Sequence, residues 1–171
     1  QYQGAHHPIS WESGHHGRIF IGSRNVFREF VTLHVSAEST TFVDDDCYFM
    51  TQSHIPHDAL IERGVKLANS VHLGGFTHVG ANAYIGLGAI VHQRIHIGQG
   101  AMVGMGSIVT KHIPPLAKAY GSPAQVRGLN SAKTEYFSLS DTDISKLKSA
   151  YEDGQLPIRG DLAVPANKIM D

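Results

Sequence analysis

The chain has 171 residues, 42% of them hydrophobic and 17% charged, with a formal charge of -1. These values fit one globular domain with a short appendage and exclude disorder by composition. The near-neutral charge gives no reason to expect a nucleic acid or an anionic membrane as partner, and no run approaches the roughly 18 apolar residues of a membrane-spanning helix.

In chain order, the first organised segment holds Ile21, Phe27 and Leu33, spaced by six. Leu33 and the next apolar marker, Val43, lie ten apart, which is six plus four, so a loop is expected to bulge out near residues 36–41. From Val43 a strict six-residue ruler runs through Phe49, Ile55, Ile61, Leu67, Leu73, Val79, Ile85, Val91, Ile97, Val103 and Val109, all apolar. Two residues before each later ruler position stands a small or β-branched residue, such as Cys47, Ser53, Ala59, Val65, Ala83 or Ala101. One residue after it stands a glycine at 74, 80, 86, 98 and 104, read here as giving a tight corner its backbone freedom.

A period of six fits neither an α-helix nor a hairpin sheet. It fits an all-β parallel β-helix, in which each hexad is one side plus one corner and three sides close a coil of 18 residues. The ruler residue points inward and stacks on its equivalent one coil later. Regular coils are expected over residues 43–114. Ile113-Pro114-Pro115 then ends the ladder, because proline donates no hydrogen bond. A last extended segment is predicted from Tyr120 to Leu129. Ser140 followed by Asp143 reads as a helix N-cap, with Ile144, Leu147 and Tyr151 as the apolar stripe and Gly154 as the stop. The final stretch reads as an irregular arm. The division is therefore a β-helix over 1–130 and a C-terminal helix with its arm over 131–171.

Cys47, the only cysteine, excludes an internal disulfide framework and fits a reducing compartment. It stands at an inward small position and reads as core. No signal-peptide pattern is visible, and since the sequence starts at Gln1 rather than Met, residues upstream stay open.

Several of the 12 histidines fall on the coils in register. His54 and His72 are 18 apart, as are His78 and His96, and all four directly precede a ruler residue, where side chains point outward. His57 and His92 stand in corners. Gly74 and Gly75 lie one coil beyond Pro56 and His57 and leave room above that corner. A filled β-helix has no inner pocket, so a site belongs on an outer face or between subunits. Histidine is the side chain best poised for proton transfer near neutral pH, and in His57-Asp58 an acid follows the base directly. Three histidines from adjacent subunits could also make a zinc site, with His92 and His96 plus His57 or His54 as candidates. Residues 92 and 96 fall on a corner and the following face, so no metal is expected.

Several stretches carry a more specific signal. Arg24-Asn25-Val26-Phe27-Arg28-Glu29-Phe30-Val31-Thr32-Leu33-His34 and His54-Ile55-Pro56-His57-Asp58 are followed by Leu67-Ala68-Asn69, Val91-His92-Gln93, Met102-Val103-Gly104, Ile113-Pro114-Pro115 and Gly128-Leu129-Asn130. In this order and spacing the chain resembles the bacterial UDP-N-acetylglucosamine O-acyltransferases that begin lipid A biosynthesis, over roughly residues 17 to 130. The resemblance implies a left-handed parallel β-helix and a cytoplasmic homotrimer with active sites between subunits. It implies an acyl carrier protein thioester as donor, a UDP-linked amino sugar as acceptor, and no bound cofactor. It makes His57 the general base for the sugar 3-hydroxyl or 3-amine and Asp58 a substrate-contacting acid. It places His54, His92 and Gln93 in the cleft, Asn130 near the nucleotide sugar, and Met105 as the stop for the acyl chain.

The departures are Phe76, where the family has a histidine, Tyr136 and Phe137 in place of paired arginines, and only a faint echo of the family's Asp-Leu-Lys-Tyr segment in Gln1-Tyr2-Gln3-Gly4. Beside this reading stand an acyl- or acetyl-coenzyme A-dependent transferase on the same scaffold, a zinc trimer of the carbonic-anhydrase kind, and a non-catalytic assembly scaffold.

Overall fold

The structure is a computed structural model that describes residues 17–152. The first coil is β1 (Ile19–Ile21), β2 (Val26–Phe27) and β3 (Thr32–Leu33), and the second is β4 (Thr41–Val43), β5 (Tyr48–Phe49) and β6 (His54–Ile55). The third is β7 (Leu60–Ile61), β8 (Lys66–Leu67) and β9 (His72–Leu73), and the fourth is β10 (His78–Val79), β11 (Tyr84–Ile85) and β12 (Ile90–Val91). The fifth is β13 (His96–Ile97), β14 (Met102–Val103) and β15 (Ile108–Val109), followed by β16 (Ala117–Gly121) and β17 (Ala124–Leu129). Strands three apart pair in parallel, so the first face is β1-β4-β7-β10-β13 and the third is β3-β6-β9-β12-β15. The second face is β2-β5-β8-β11-β14-β16-β17. This is the parallel β-helix that the ruler predicts.

All twelve ruler residues from Val43 to Val109 are buried, none more than 3% exposed, and the small positions two residues earlier are buried with them. Burying each aliphatic ruler side chain contributes about 1.5–3 kcal/mol, and the small neighbour lets the coil close around it. Cys47 lies in this core, where burial pushes its thiol up to about 11.

The first coil pairs at a longer offset. Thr32 lies opposite His54 and Val26 opposite Tyr48, whereas His54 lies opposite His72. The four extra residues are the expected loop, which leaves the coil before Thr41.

The glycines after the ruler residues do a different job from the one expected. None of Gly74, Gly80 or Gly86 has positive φ. A Cβ on Gly74 would sit 2.5 Å from the Gln93 nitrogen, and one on Gly80 2.6 Å from that of Gln99. Glycine is there because successive coils approach too closely for any side chain. The left-handed residue of each corner comes two positions later, and at Asp58 (φ 56°), Phe76 (φ 59°) and Arg94 (φ 60°) it is not glycine.

Three further differences lie beyond Val109. The ruler does not stop there but resumes two residues out of step. Ile113 bridges to Ile97, and Ala119 pairs with Val103. The predicted extended segment is a hairpin instead. β16 runs parallel to β14, the chain turns at Ser122-Pro123, and β17 returns antiparallel. Gly121 and Pro123 are turn chemistry, so the segment reverses where continuous extension was expected. Next come a short helix, α1 (Ser131–Tyr136), which the sequence reading lacks, and α2 (Asp141–Glu152). Ser140 caps α2 as expected, its hydroxyl accepting from the Asp143 N–H (3.2 Å) and donating to the Asp143 carboxylate (2.7 Å). Leu147 and Phe137 pack on Leu116 and dock both helices on the last coil. The Tyr151 side chain, Gly154, the C-terminal arm and residues 1–4 lie outside what the structure describes.

Candidate active site

His57 and Asp58 occupy the corner between β6 and β7. The Asp58 side chain is fully buried. Its carboxylate accepts from the N–H groups of Ala37 (2.8 Å), Glu38 (3.1 Å) and Ser39 (2.7 Å) and from the Ser39 hydroxyl (3.0 Å). The four-residue excursion therefore closes over Asp58. The same carboxylate lies 2.9 Å from His57 Nδ1. Burial alone would raise the Asp58 pKa. The Ala37 N–H, the His57 ring and the N–H groups of Ser39 and Glu38 outweigh it and hold the carboxyl at about 2.

An ionised carboxylate only accepts, so Nδ1 must carry the hydrogen of that contact. The lone pair of the neutral ring is then on Nε2. That atom lies over Gly75, 2.5 Å from where a Cβ on residue 75 would be. The imidazole occupies the space the missing side chain leaves. The pair is thus a base oriented by a buried acid at the rim of the prism. The two side chains, adjacent in sequence, are in direct contact.

The other expected residues fall into three places. His92 and Gln93 are exposed one coil beyond Gly74 and Gly75, in the same corner column as His57. His54 lies on the outer side of the third face, its Nδ1 2.8 Å from the Thr32 hydroxyl and its ring edge-on to His34 at 4.6 Å. These residues, with His72 and Gln52, line an open groove. Asn130 and Met105 are on other corners. Asn130 is buried and donates to the Gly100 carbonyl (3.0 Å), between β13 and β14. Met105 is 75% exposed between β14 and β15. Asp58, which the resemblance makes a substrate contact, turns its carboxylate inward to His57 and the loop.

The residues that sequence reasoning missed are Ala37, Glu38 and Ser39, whose backbone holds Asp58. Their signal was the four-residue surplus, which places a loop beside that corner without saying what it covers. Phe76 lies edge-on to His57, ring centres 5.2 Å apart, and takes the Arg94 guanidinium over its ring at 4.1 Å. The remaining paired histidines are on the first face, where His78 Nε2 lies 2.6 Å from Glu62 and His96 Nδ1 lies 2.9 Å from His78 Nδ1. Among the described residues, no three His, Cys, Asp or Glu side chains converge as a metal-ligand set. No described helix is long and apolar enough to cross a membrane.

Comparison with known proteins bears on this site. No family model matches the sequence. An acyl-[acyl-carrier-protein]--UDP-N-acetylglucosamine O-acyltransferase of Anaeromyxobacter sp. is 34% identical over 137 residues, 78% of this chain and 53% of that relative. A protein of the same name from Synechocystis sp. is 36% identical over 135 residues, 78% of this chain and 49% of the relative. The crystal structure of Arabidopsis UDP-N-acetylglucosamine acyltransferase superposes with a TM-score of 0.78 at 30% identity, over 84% of this chain and 51% of that one. The chain resembles the UDP-N-acetylglucosamine O-acyltransferases in sequence and in fold. It spans about half the length of the curated relatives it matches.

Proposed function

We propose that this chain carries the acyl-transfer site of a UDP-N-acetylglucosamine O-acyltransferase-like enzyme of the bacterial cytoplasm. The observation that carries the reading is the buried Asp58 carboxylate on His57 Nδ1, with Nε2 over Gly75. Nε2 takes the proton of the sugar 3-hydroxyl or 3-amine as that group attacks the thioester carbonyl of an acyl carrier protein. A hydroxyl is a poor nucleophile until a base removes its proton, and this assistance is worth about 10²–10⁴ in rate. Asp58 stabilises the imidazolium that forms.

The corner ladder runs through the Gly74 N–H (to Val91 O, 2.8 Å) and the Phe76 N–H (to His57 O, 3.2 Å). The intervening Gly75 N–H is the donor proposed for the developing oxyanion. As the tetrahedral centre collapses, the C–S bond breaks and the carrier thiolate takes the proton from Nε2.

His54 and the groove beside it receive the acceptor, with His92 and Gln93 further along the corner. The acyl chain runs along the third face, where outward residues change from His54 and His72 to Ile90 and Ile108, toward Met105. From β6 to β15 is three strand spacings of about 4.8 Å, the length of a medium acyl chain. Asn130 and Met105 are on corners away from His57, so a site that uses them needs neighbouring subunits. The proposed assembly is a C3 homotrimer.

Purified protein is mixed with acyl carrier protein thioesters or acyl-coenzyme A, together with UDP-N-acetylglucosamine or its 3-amino analogue. Mass spectrometry should show an acylated nucleotide sugar with the carrier donor, and light scattering three times the monomer mass. A product only with acyl-coenzyme A favours the other donor, and no product with any pair refutes the reading.

A further inference from the structure

Arg94 is an exposed cation without a carboxylate. Like Arg18 and Arg127, it makes no ion pair among the described residues, whereas Arg24, Arg28 and Arg63 do. Its guanidinium is held by an aromatic face instead, with Cζ 4.1 Å from the centre of Phe76. Phe76 in turn stands at 90° to the His57 ring, 5.2 Å away. Phe76 and Arg94 are the left-handed residues of the same corner in successive coils, which stacks them in one column with Asp58. Asp58, the acid of that column, is closed off by the loop and His57.

The two ring contacts, 5.2 Å and 4.1 Å, put the Arg94 charge at most about 9 Å from the imidazole centre. This distance selects among the anions of the proposed reaction. A phosphate on the anomeric oxygen of a sugar is about 5 Å from the 3-hydroxyl, one ring width by ordinary bond lengths. The phosphate of a pantetheine thioester is about a dozen bonds from its sulfur, roughly 16 Å when extended. A cation this close to the base meets the first and not the second.

We infer that Arg94, presented by Phe76, binds the diphosphate of the acceptor nucleotide. This rests on the acyl-transfer reading of the site. A guanidinium holds such a group through charge-assisted, often bidentate hydrogen bonds, which a lysine matches in charge but not in shape.

The test measures binding of UDP and of uridine to the full chain by calorimetry, for wild type, Arg94→Gln, Arg94→Lys and Phe76→Leu, with thermal midpoints as the folding control. Arg94→Gln should weaken UDP at least about tenfold and leave uridine unchanged. Arg94→Lys should recover part of the loss, and Phe76→Leu should weaken UDP less than Arg94→Gln does. In turnover, the KM for UDP-N-acetylglucosamine should rise while the KM for the acyl donor stays within twofold. Equal UDP binding by wild type and Arg94→Gln, no UDP binding by wild type, or a rise confined to the donor KM overturns the inference. Arg94-dependent UDP binding without any acyl transfer upholds it and refutes the reading it rests on. Full transfer with an unchanged acceptor KM in Arg94→Gln does the reverse.

Discussion

Two histidine–carboxylate pairs lie on this prism, one in a corner and one on a face. His57 meets Asp58 at 2.9 Å, and His78 meets Glu62 at 2.6 Å. By distance alone the second is the stronger pair. Its ring, however, is used at both ends, with Nε2 on Glu62 and Nδ1 on His96. Glu62 is 38% exposed, and its pKa is lowered chiefly by His78 against the effect of burial. In the corner, the acid is fully buried, only Nδ1 is given to it, and Nε2 is turned toward the glycine gap. What makes a histidine a base for a third molecule is which nitrogen its carboxylate takes and what lies beyond the other.

That contrast is most directly broken by alanine at each pair. His57→Ala should lower acyl transfer about 100-fold or more and leave the fold intact, since a corner side chain carries little core packing. His78→Ala should stay within a few-fold of wild type. Steady-state rates decide it, and equal losses in the two variants would end the distinction.

Gly75→Ala tests the gap without replacing a titrating residue. Its Cβ would fall 2.5 Å from Nε2, so the imidazole must move. Turnover should fall about tenfold or more, because small displacements of a base are costly. Residue 75 lacks positive φ, so the variant should unfold at close to the wild-type temperature.

Asp58→Asn sharpens the role of the buried acid. An amide presents a donor to the Ala37–Ser39 loop N–H groups or to His57, so one contact becomes repulsive. Activity should fall several-fold or more. The folded pKa of about 2 lies below the ordinary value of about 3.9, so the carboxylate stabilises the fold above pH 4. That contribution, about 2 kcal/mol, is lost as pH falls from about 4 through about 2. Urea unfolding at pH 7 and pH 3 should therefore show a larger drop for wild type than for the asparagine variant. Parallel drops would show that Asp58 is not the linked group.

Met105→Gly should shift the preferred donor toward longer chains and leave the pH profile of turnover as it is. Each further methylene that finds apolar surface contributes about 0.8 kcal/mol. Competition between donors of different length reads this out, and an unchanged preference removes Met105 as the stop. Cys47→Ala carries the smallest effect. It should cost about 1 kcal/mol of stability and keep turnover, since the thiol is buried in the core and pushed up to about 11. Inactivation by a thiol reagent without unfolding would contradict that.

The coils were legible because their signal is local. Each ruler residue from Val43 to Val109 must be apolar to stack, whatever lies elsewhere in the chain. Legibility failed where that spacing breaks. Ile113 follows Val109 by only four residues where the ruler steps by six, so the last coil has a step of 16, and Ile113 and Ala119 fall out of phase although they stack on Ile97 and Val103. The helix α1 follows Asn130, whose side chain bonds to Gly100 rather than capping the helix, so no capping signal precedes it. The glycines at 74, 80 and 86 were visible, but their reason was not, since it lies in the backbone of the next coil.

The sequence by itself determined the repeat, its inward residues, the position of the loop, and a resemblance that singles out His57. Those follow from residue type at fixed spacing. The tertiary structure alone decided which nitrogen of His57 faces Asp58 and that the loop backbone N–H groups hold this buried acid ionised. It alone showed that Gly75 makes room for the ring and that Phe76 presents Arg94 beside it. The His57–Asp58 contact joins neighbours whose side-chain directions the sequence does not give, and the others join residues about one coil apart, where contact depends on closure and side-chain direction that a one-dimensional pattern does not contain.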